Sequence, residues 1–195
     1  MILSHVISDA VLTSMGIGVF WHYFGQMAFY NRLLWGFFLL TITMAALTGI
    51  LVLSGYTVFE PLNQSLNVLT GSFGIVCLVM GVWALINGRS VSVVSFVVTL
   101  ILGLFMFVVL LLPEIRVFAP VVQSLGILVV MLLAVFGLLR RQMWAVWLVV
   151  AVMLMGIATK ATAFGQLISP TDFYHYAVAL ALLGFGKAVE GSMAG

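Results

Sequence analysis

The chain alternates long apolar runs with short polar breaks. A helix needs about 20 mostly apolar residues to cross the hydrocarbon core of a membrane. Seven runs meet that length: residues 3–24, 32–54, 66–86, 91–112, 117–139, 143–163 and 170–187. Because backbone groups in lipid must be satisfied within each segment, every run predicts an α-helix. The pattern therefore predicts an all-α polytopic bundle of about seven transmembrane helices in one domain.

The breaks between the runs carry turn-forming and charged residues. Residues 55–65 include Glu60-Pro61 and Asn63-Gln64 and predict a polar loop. Asn87-Gly88-Arg89 is a turn signal that ends the third run. The boundary between residues 163 and 170 is the least defined by the pattern.

The composition indicates that lipid surrounds most of the chain. Of the 195 residues, 65% are hydrophobic and 6% are charged, whereas soluble domains carry roughly 25% charged residues. The net charge of +2 comes without a basic run, so nothing indicates a nucleic-acid partner. The first residues lack the positive region and cleavage site of a signal peptide, so we expect the first run to remain as a helix.

The loop charges predict an orientation. One side of the bundle collects five cations: Arg32, Arg89, Arg140, Arg141 and Lys187. The other side has two cations beside three acids: Arg116, Lys160, Glu60, Glu114 and Asp172. The positive-inside rule makes the first side cytoplasmic. We therefore expect a multi-pass protein of the cell membrane, the inner membrane of a bacterium, with its N-terminus outside and its C-terminus in the cytoplasm.

The tryptophans agree with that orientation. All five are predicted near the cytoplasmic ends of spans, as in an interfacial aromatic belt: Trp21, Trp35, Trp83, Trp144 and Trp147.

Ionisable residues inside membrane spans are costly and by default indicate a functional site. His5 and Asp9 share one face of the first span, and Asp172 and His175 share one face of the seventh. Lys160 lies near the outer end of the sixth span. If the first and last spans pack side by side, these groups converge at the outer leaflet. Asp9 and His175 are the candidate catalytic residues.

Structural roles compete with this interpretation. Ser169-Pro170-Thr171-Asp172 is a good helix start, so Asp172 has a capping role as an alternative. His5 is close enough to the N-terminus to sit in the wet interface. Asp9 and His175 fall within apolar helices and are harder to explain by structure alone.

Two imidazoles and two carboxylates are suitable ligands for Zn²⁺ or another divalent metal. The predicted metal ligands are His5, Asp9, Asp172 and His175, with Lys160 and Ser54 as supporting residues. A metal with an open position would activate water for hydrolysis. A proton or ion relay through the same groups is the alternative.

Two short motifs resemble a known group of proteins. Ser8-Asp9-Ala10, the small-residue second span ending in Gly49 to Gly55, and Thr171-Asp172-Phe173-Tyr174-His175 resemble uncharacterised bacterial seven-span membrane proteins. These in turn are distantly similar to the alkaline ceramidase and progestin/adiponectin-receptor-like superfamily. The resemblance implies a metal-dependent hydrolase of lipid amides or esters.

The resemblance also implies histidines on the second and last spans, with an Asp and a Ser nearby. Only Asp9, Asp172 and His175 match that pattern. The position four residues after His175 is Ala179, and the second span has no histidine and only Ser54 as a polar residue near its outer end. His5 would have to supply the missing ligand.

Two functions remain open from the sequence. One is a metal-dependent membrane hydrolase with an outward-facing site. The other is a non-catalytic protein, either an accessory subunit of a larger membrane complex or a lipid or pigment binder. Very short loops and an incomplete motif favour the second function, and the buried polar cluster favours the first. Membrane lipid is a partner in both.

Overall fold

The structure, a computed structural model, describes residues 2–164 and 168–194. Within these residues the chain is all-helical and has no strand, as the sequence predicts. The helices are α1 (Ile2–Tyr23), α2 (Phe29–Leu53), α3 (Glu60–Leu69), α4 (Ile75–Ile86), α5 (Val93–Leu110), α6 (Ala119–Leu139), α7 (Ala145–Ala158) and α8 (Pro170–Ala194). Six helical rods in the described residues are long and apolar enough to cross a membrane. The orientation with the N-terminus outside and the C-terminus in the cytoplasm stays a prediction.

The third rod is built from several pieces. A 3₁₀ turn at Thr57–Phe59 leads into α3, a π-helical turn at Thr70–Gly74 follows, and α4 continues to Ile86. We call this rod, Thr57–Ile86, the third span. A π turn places one extra residue in the helix and locally widens it, and such turns are frequent at functional sites.

The prediction of a polar loop at residues 55–65 is wrong for most of that range. The helical rod begins at Thr57, and Pro61 occupies the first turn of α3, where a missing N–H costs nothing. The Asn63 side chain donates to the Ala45 carbonyl at 2.8 Å and to the Thr48 hydroxyl at 2.9 Å. Of the polar residues in this range, Asn63 faces α2 and the bundle interior, whereas Glu60 and Gln64 lie on the exposed side of the same helix, so polar composition did not indicate a loop.

The last two rods also differ from their predicted lengths. α7 has 14 residues, shorter than the predicted span of 143–163, and a 3₁₀ turn at Ala161–Phe164 follows it. α8 continues past the predicted end at 187 to Ala194. Lys187 lies on an exposed face within this helix, where its ammonium pairs with Glu190 at 2.7 Å. Residues 165–167, in the least defined boundary, lie outside the described part of the chain.

Six rods form a closed ring, namely five of the long apolar rods and the shorter α7. α1 packs against α2 and α8, α8 against α7, α7 against α6, α6 against the third span, and the third span against α2. α5 packs outside this ring, mainly against α4 and the π turn. We call the end where α1 and α8 begin the cavity end, and the opposite end, which holds Arg89, Arg140 and Arg141, the arginine end.

Aromatic rings fill the interior of the ring toward the arginine end. The Trp35 ring lies 5.0 Å from the Phe24 ring and 5.7 Å from the Phe185 ring, and Phe38 meets Phe185 edge-on at 5.8 Å. Such pairs add about 0.5–1.5 kcal/mol each beyond the area they bury. Trp35 is fully buried, so its predicted place in an interfacial belt is wrong, whereas Trp21, Trp83 and Trp147 are exposed as expected.

The charge distribution along the rods predicts a measurable orientation. We expect a fluorescent-protein fusion after Ala194 to fluoresce in a bacterial host, and an alkaline phosphatase fusion at the same point to be inactive, because five cations should keep the arginine end cytoplasmic. A phosphatase fused at Pro113, at the cavity end, is the matched control and should be active. The reverse pattern would contradict the orientation.

Candidate functional site

The first helix presents four polar side chains on one face. Ser4, His5, Ser8 and Asp9 recur at the spacing that places side chains above one another on an α-helix. Ser8 and Asp9 are buried, and His5 is half-buried. This polar face of α1 meets the first turns of α8, because the two helices pack side by side at the cavity end.

Asp172, in the first turn of α8, is the centre of the contact. Its carboxylate accepts hydrogen bonds from the Ser4 hydroxyl, from the Ser8 hydroxyl at 2.8 Å and from Nδ1 of His5 at 2.8 Å. We call Ser4, His5, Ser8 and Asp172 the Asp172 cluster. Asp172 is only 3% exposed, and a carboxylate removed from water is tolerated when its oxygens are hydrogen-bonded. The cluster therefore ties α1 to α8.

A second Asp–His pair lies beside this cluster. His175 Nδ1 is 3.3 Å from Asp9 Oδ1 and 3.1 Å from the Ser8 hydroxyl oxygen. The single Ser8 proton is within reach of the Asp172 carboxylate at 2.8 Å and of the His5 carbonyl at 3.0 Å, and in either case the Ser8 oxygen accepts from His175. With Asp9 ionised, Nδ1 of a neutral His175 carries the proton, and Nε2 keeps its lone pair. No residue in the described part of the chain hydrogen-bonds to that Nε2.

Asp9 and His175 line a cavity of about 300 Å³ enclosed by the six rods of the ring. Polar side chains surround its outer part: Asn63, Asn67, Thr70, Gln123, Thr171 and Tyr174. Apolar side chains form its inner part: Leu12, Phe38, Ile42, Ile75, Met155 and Val178. The polar lining is thus concentrated toward the cavity end, beside the apolar Val52 and Leu53 at the end of α2, and the lining toward the middle of the bundle is apolar.

Gly49 of α2 makes room for the Asp9 carboxylate. A Cβ at this position would lie 3.0 Å from Oδ2 and 3.4 Å from Oδ1 of Asp9. That is closer than ordinary van der Waals contact, so a side chain at position 49 would displace the carboxylate. The glycine therefore fixes how closely α2 approaches the Asp–His pair.

A groove adjoins the cavity between the third span and α6. It shares the side chains of Asn67 and Gln123 with the cavity and extends to Arg116 at the cavity end. The Arg116 guanidinium donates to the Gln64 side-chain oxygen at 3.3 Å and is exposed. The groove has space because Gly71, in the π turn, has no side chain beside Gln123.

The structure brings together the four residues predicted to form the site. His5 pairs with Asp172 and His175 with Asp9, and Ser8 joins the two pairs. Of the four, Asp9 and His175 line the cavity, while His5 and Asp172 stand behind them. Lys160 and Ser54 are exposed and do not line the cavity, and no hydrogen bond within residues 2–164 and 168–194 joins either side chain to the site.

Several residues of the site were not predicted. Ser4 and Ser8 share the spacing of His5 and Asp9, and that repeat was a signal in the sequence. Asn63 and Asn67 are also four residues apart, but the predicted loop ended at residue 65 and so separated Asn63 from Asn67 in the third predicted span. No local signal identifies Gly49, Gln123 or Tyr174 as residues of the site, since their role depends on which rods are neighbours.

The predicted metal ligands engage one another in this arrangement. Each imidazole uses Nδ1 toward a carboxylate. Across the described residues, no group of three or more His, Cys, Asp or Glu side chains surrounds a common point as metal ligands would. The binding of Zn²⁺ or another divalent metal by His5, Asp9, Asp172 and His175 stays a prediction. Carboxylates that hold Nδ1 of histidine are, however, a common arrangement behind metal-binding imidazoles.

The Asp172 cluster predicts a large effect on stability. Hydrogen bonds to a charged group contribute about 1.5–3 kcal/mol each, so we expect Asp172→Ala to lower the free energy of unfolding by about 3 kcal/mol or more. Unfolding by dodecyl sulfate titration in micelles measures this. Glu190→Ala, which removes an exposed carboxylate from the same helix, is the control and should leave the transition unchanged. Equal effects of the two substitutions would contradict the role of the cluster.

Comparison of the chain with protein-family models, with curated proteins and with solved structures found no match. The resemblance to the alkaline ceramidase and progestin/adiponectin-receptor-like superfamily therefore stays a prediction from two short motifs.

Proposed function

We propose that this chain is a membrane-embedded hydrolase that cleaves an amide or ester bond of a lipid-like amphiphile. The observation that carries the proposal is the Asp9–His175 pair on the wall of a cavity enclosed by six helices. A buried acid and imidazole cost stability in an apolar bundle, and such groups in membrane spans are typical of function.

His175 has the features of a general base. Asp9 and Ser8 hold its Nδ1 proton and so orient the ring. The Nε2 lone pair is then the group able to accept a proton. Asp9 is a positioning residue for the imidazole and stabilises the positive charge that it acquires.

The reaction can be written with these groups alone. His175 Nε2 removes a proton from a water molecule as its oxygen attacks the carbonyl carbon, and the carbonyl electron pair moves to oxygen. When the tetrahedral intermediate collapses, the C–N or C–O bond breaks, and the proton on Nε2 passes to the leaving nitrogen or oxygen. The products are a carboxylic acid and an amine or alcohol. Polar side chains at the cavity, such as the Tyr174 hydroxyl, are available to donate to the carbonyl oxygen.

The shape of the cavity indicates an amphiphilic substrate. Its volume of about 300 Å³ is at the small end of ligand pockets and does not hold a whole two-chain lipid. Its inner part is apolar and its outer part polar, which suits a short or single-chain amphiphile or one end of a longer one. The groove between the third span and α6, with Arg116 at its edge, offers a route to the cavity from the membrane interface.

A non-catalytic role is the second candidate, and one observation favours it. Three of the four polar side chains on α1 hydrogen-bond Asp172, so much of the polar cluster holds helices together. A lipid or pigment binder, or an accessory subunit of a larger membrane complex, would need the cavity without the chemistry. Binding without turnover would distinguish this candidate from a hydrolase.

Substitution of the Asp–His pair tests the proposed activity. Purified protein in micelles is incubated with a panel of long-chain amides and esters, and released fatty acid is measured by mass spectrometry. General acid–base catalysis contributes about 10²–10⁴-fold, so His175→Ala should lower the rate by at least about 100-fold, and Asp9→Asn should lower it as well. His22→Ala, a histidine substitution at the arginine end, should keep the wild-type rate.

Two results would contradict the hydrolase. One is the absence of turnover by the wild-type protein across the panel, and the other is an unchanged rate in His175→Ala. Retained binding of an amphiphile without turnover would support the non-catalytic candidate.

The metal prediction has a separate test. Elemental analysis of protein purified at neutral pH should show about one divalent ion per chain if the four predicted ligands bind it, and His175→Ala should lose that ion. A metal content at background in the wild-type protein would reject the metal and leave the general-base route as the one to test.

A further inference from the structure

A second, larger cavity lies at the arginine end of the bundle. It has a volume of about 870 Å³ and is lined by the turns between α1 and α2, α4 and α5, and α6 and α7, and by the last turn of α8. It is at the opposite end from the Asp9–His175 pair. Nothing in the proposed hydrolysis uses it.

Two of the cations at this end line the cavity, Arg89 and Arg141. The other three have partners elsewhere. Arg140 donates to the Asn87 side-chain oxygen at 3.1 Å and lies over the Phe136 ring, Arg32 donates to the Gly25 carbonyl at 3.4 Å, and Lys187 pairs with Glu190. In the described part of the chain, neither the Arg89 nor the Arg141 guanidinium has a hydrogen bond or an ion pair. No Asp or Glu is among the cavity's lining residues.

The backbone around Arg89 is held in place. The Asn31 side chain donates to the Arg89 carbonyl at 3.0 Å, and its oxygen accepts from the Val91 N–H at 2.7 Å. Asn31 is buried. Through these bonds the start of α2 fixes the turn that carries Arg89.

The turn that carries Arg141 is fixed to the same region. The Gln142 side chain donates to the Ile86 carbonyl at 2.9 Å, at the end of α4. Arg141 itself has a φ of 60°, a left-handed conformation that is uncommon for residues other than glycine. Non-glycine residues in such conformations persist where the surrounding structure requires them, and they cluster at ligand sites. Gln142 thus joins the turn that carries Arg141 to the end of α4, the helix that precedes the turn that carries Arg89.

The helix ends around the cavity largely cancel one another. Ala28 and Trp144 precede the first turns of α2 and α7, both line the cavity, and neither end has a side-chain cap. Each of these helix starts carries about half a positive charge, whereas the last turns of α4 and α8, which also line the cavity, each carry about half a negative charge. The net positive charge of the cavity therefore comes from the two arginines.

We propose that this cavity binds an anion of the phosphate class, and that Arg89 and Arg141 are its charged ligands. Arginine matches phosphate oxygens with paired N–H donors, and basic pockets between helices at a membrane interface bind anionic headgroups. The Gln26, Ser90 and Ser192 side chains lie in the same wall and supply neutral polar groups. Two sources carry this chemistry, a phospholipid headgroup and a soluble phosphate.

The test uses the full-length protein in nanodiscs. One arm compares phosphatidylglycerol with phosphatidylcholine and measures retained lipid by native mass spectrometry. The second arm adds inorganic phosphate in phosphatidylcholine nanodiscs and measures the shift in thermal midpoint. We expect the wild-type protein to bind an anion in at least one arm. Arg89→Gln/Arg141→Gln should weaken that binding by about tenfold or more, because each charged hydrogen bond is worth about a factor of ten.

A matched control separates a site from general positive charge. Arg32→Gln/Arg140→Gln also removes two positive charges from the arginine end, but from side chains that have partners outside the cavity. This variant should bind like wild type, and both variants should elute as folded protein. Binding of phosphatidylglycerol alone identifies a lipid headgroup as the source, and binding of phosphate alone identifies a soluble anion. Absence of binding in both arms, or equal losses in the two double variants, would overturn the proposal.

Discussion

A carboxylate inside an apolar helical bundle has to be hydrogen-bonded, and this requirement shapes the cavity end of the protein. Asp172 meets it entirely with side chains from α1, because Ser4, His5 and Ser8 all reach its oxygens. The consequence is geometric. Once α1 and α8 are held together at this depth, Asp9 and His175 lie within 3.3 Å of each other and face the space inside the ring. The His5–Asp172 pair, which holds the helices together, and the Asp9–His175 pair, which is proposed for catalysis, therefore belong to one network that Ser8 joins.

The rest of the bundle divides the interior into two regions. Toward the arginine end, Trp35, Phe38 and Phe185 fill the ring with aromatic side chains. Toward the cavity end, the missing side chain of Gly49 leaves room for the Asp9 carboxylate. The π turn places Thr70 at the cavity and Gly71 at the neighbouring groove. The packing of the apolar region stabilises the fold, and the burial of polar groups at the cavity end lowers that stability in part. The separate basic cavity at the other end follows from the same ring, since three turns and the end of α8 meet there.

The sequence predicted the parts of this arrangement that depend on local pattern. Apolar run lengths indicated the helices, and the four-residue and three-residue spacings in α1 and α8 indicated that His5, Asp9, Asp172 and His175 would share faces. Residues 57–65 were misassigned because a helix with exposed polar side chains, such as Glu60 and Gln64, and a cavity-facing Asn63 has the same composition as a polar loop. Trp35 was misplaced because a tryptophan in an aromatic core and one at an interface occupy similar positions along a span. Gly49, Gln123 and Tyr174 depend on which rods become neighbours, and one sequence does not show that.

The central claim is that Asp9 and Ser8 hold the Nδ1 proton of His175 and leave Nε2 free at the cavity. The chain has three histidines, so nitrogen-15 resonance spectra of histidine-labelled protein in micelles are simple enough to assign by single substitutions of His5 and His22. At neutral pH we expect a neutral His175 ring protonated on Nδ1, with Nε2 carrying the lone pair, and loss of this preference in Asp9→Asn. A His175 ring protonated on Nε2, with Nδ1 unprotonated, would contradict the account.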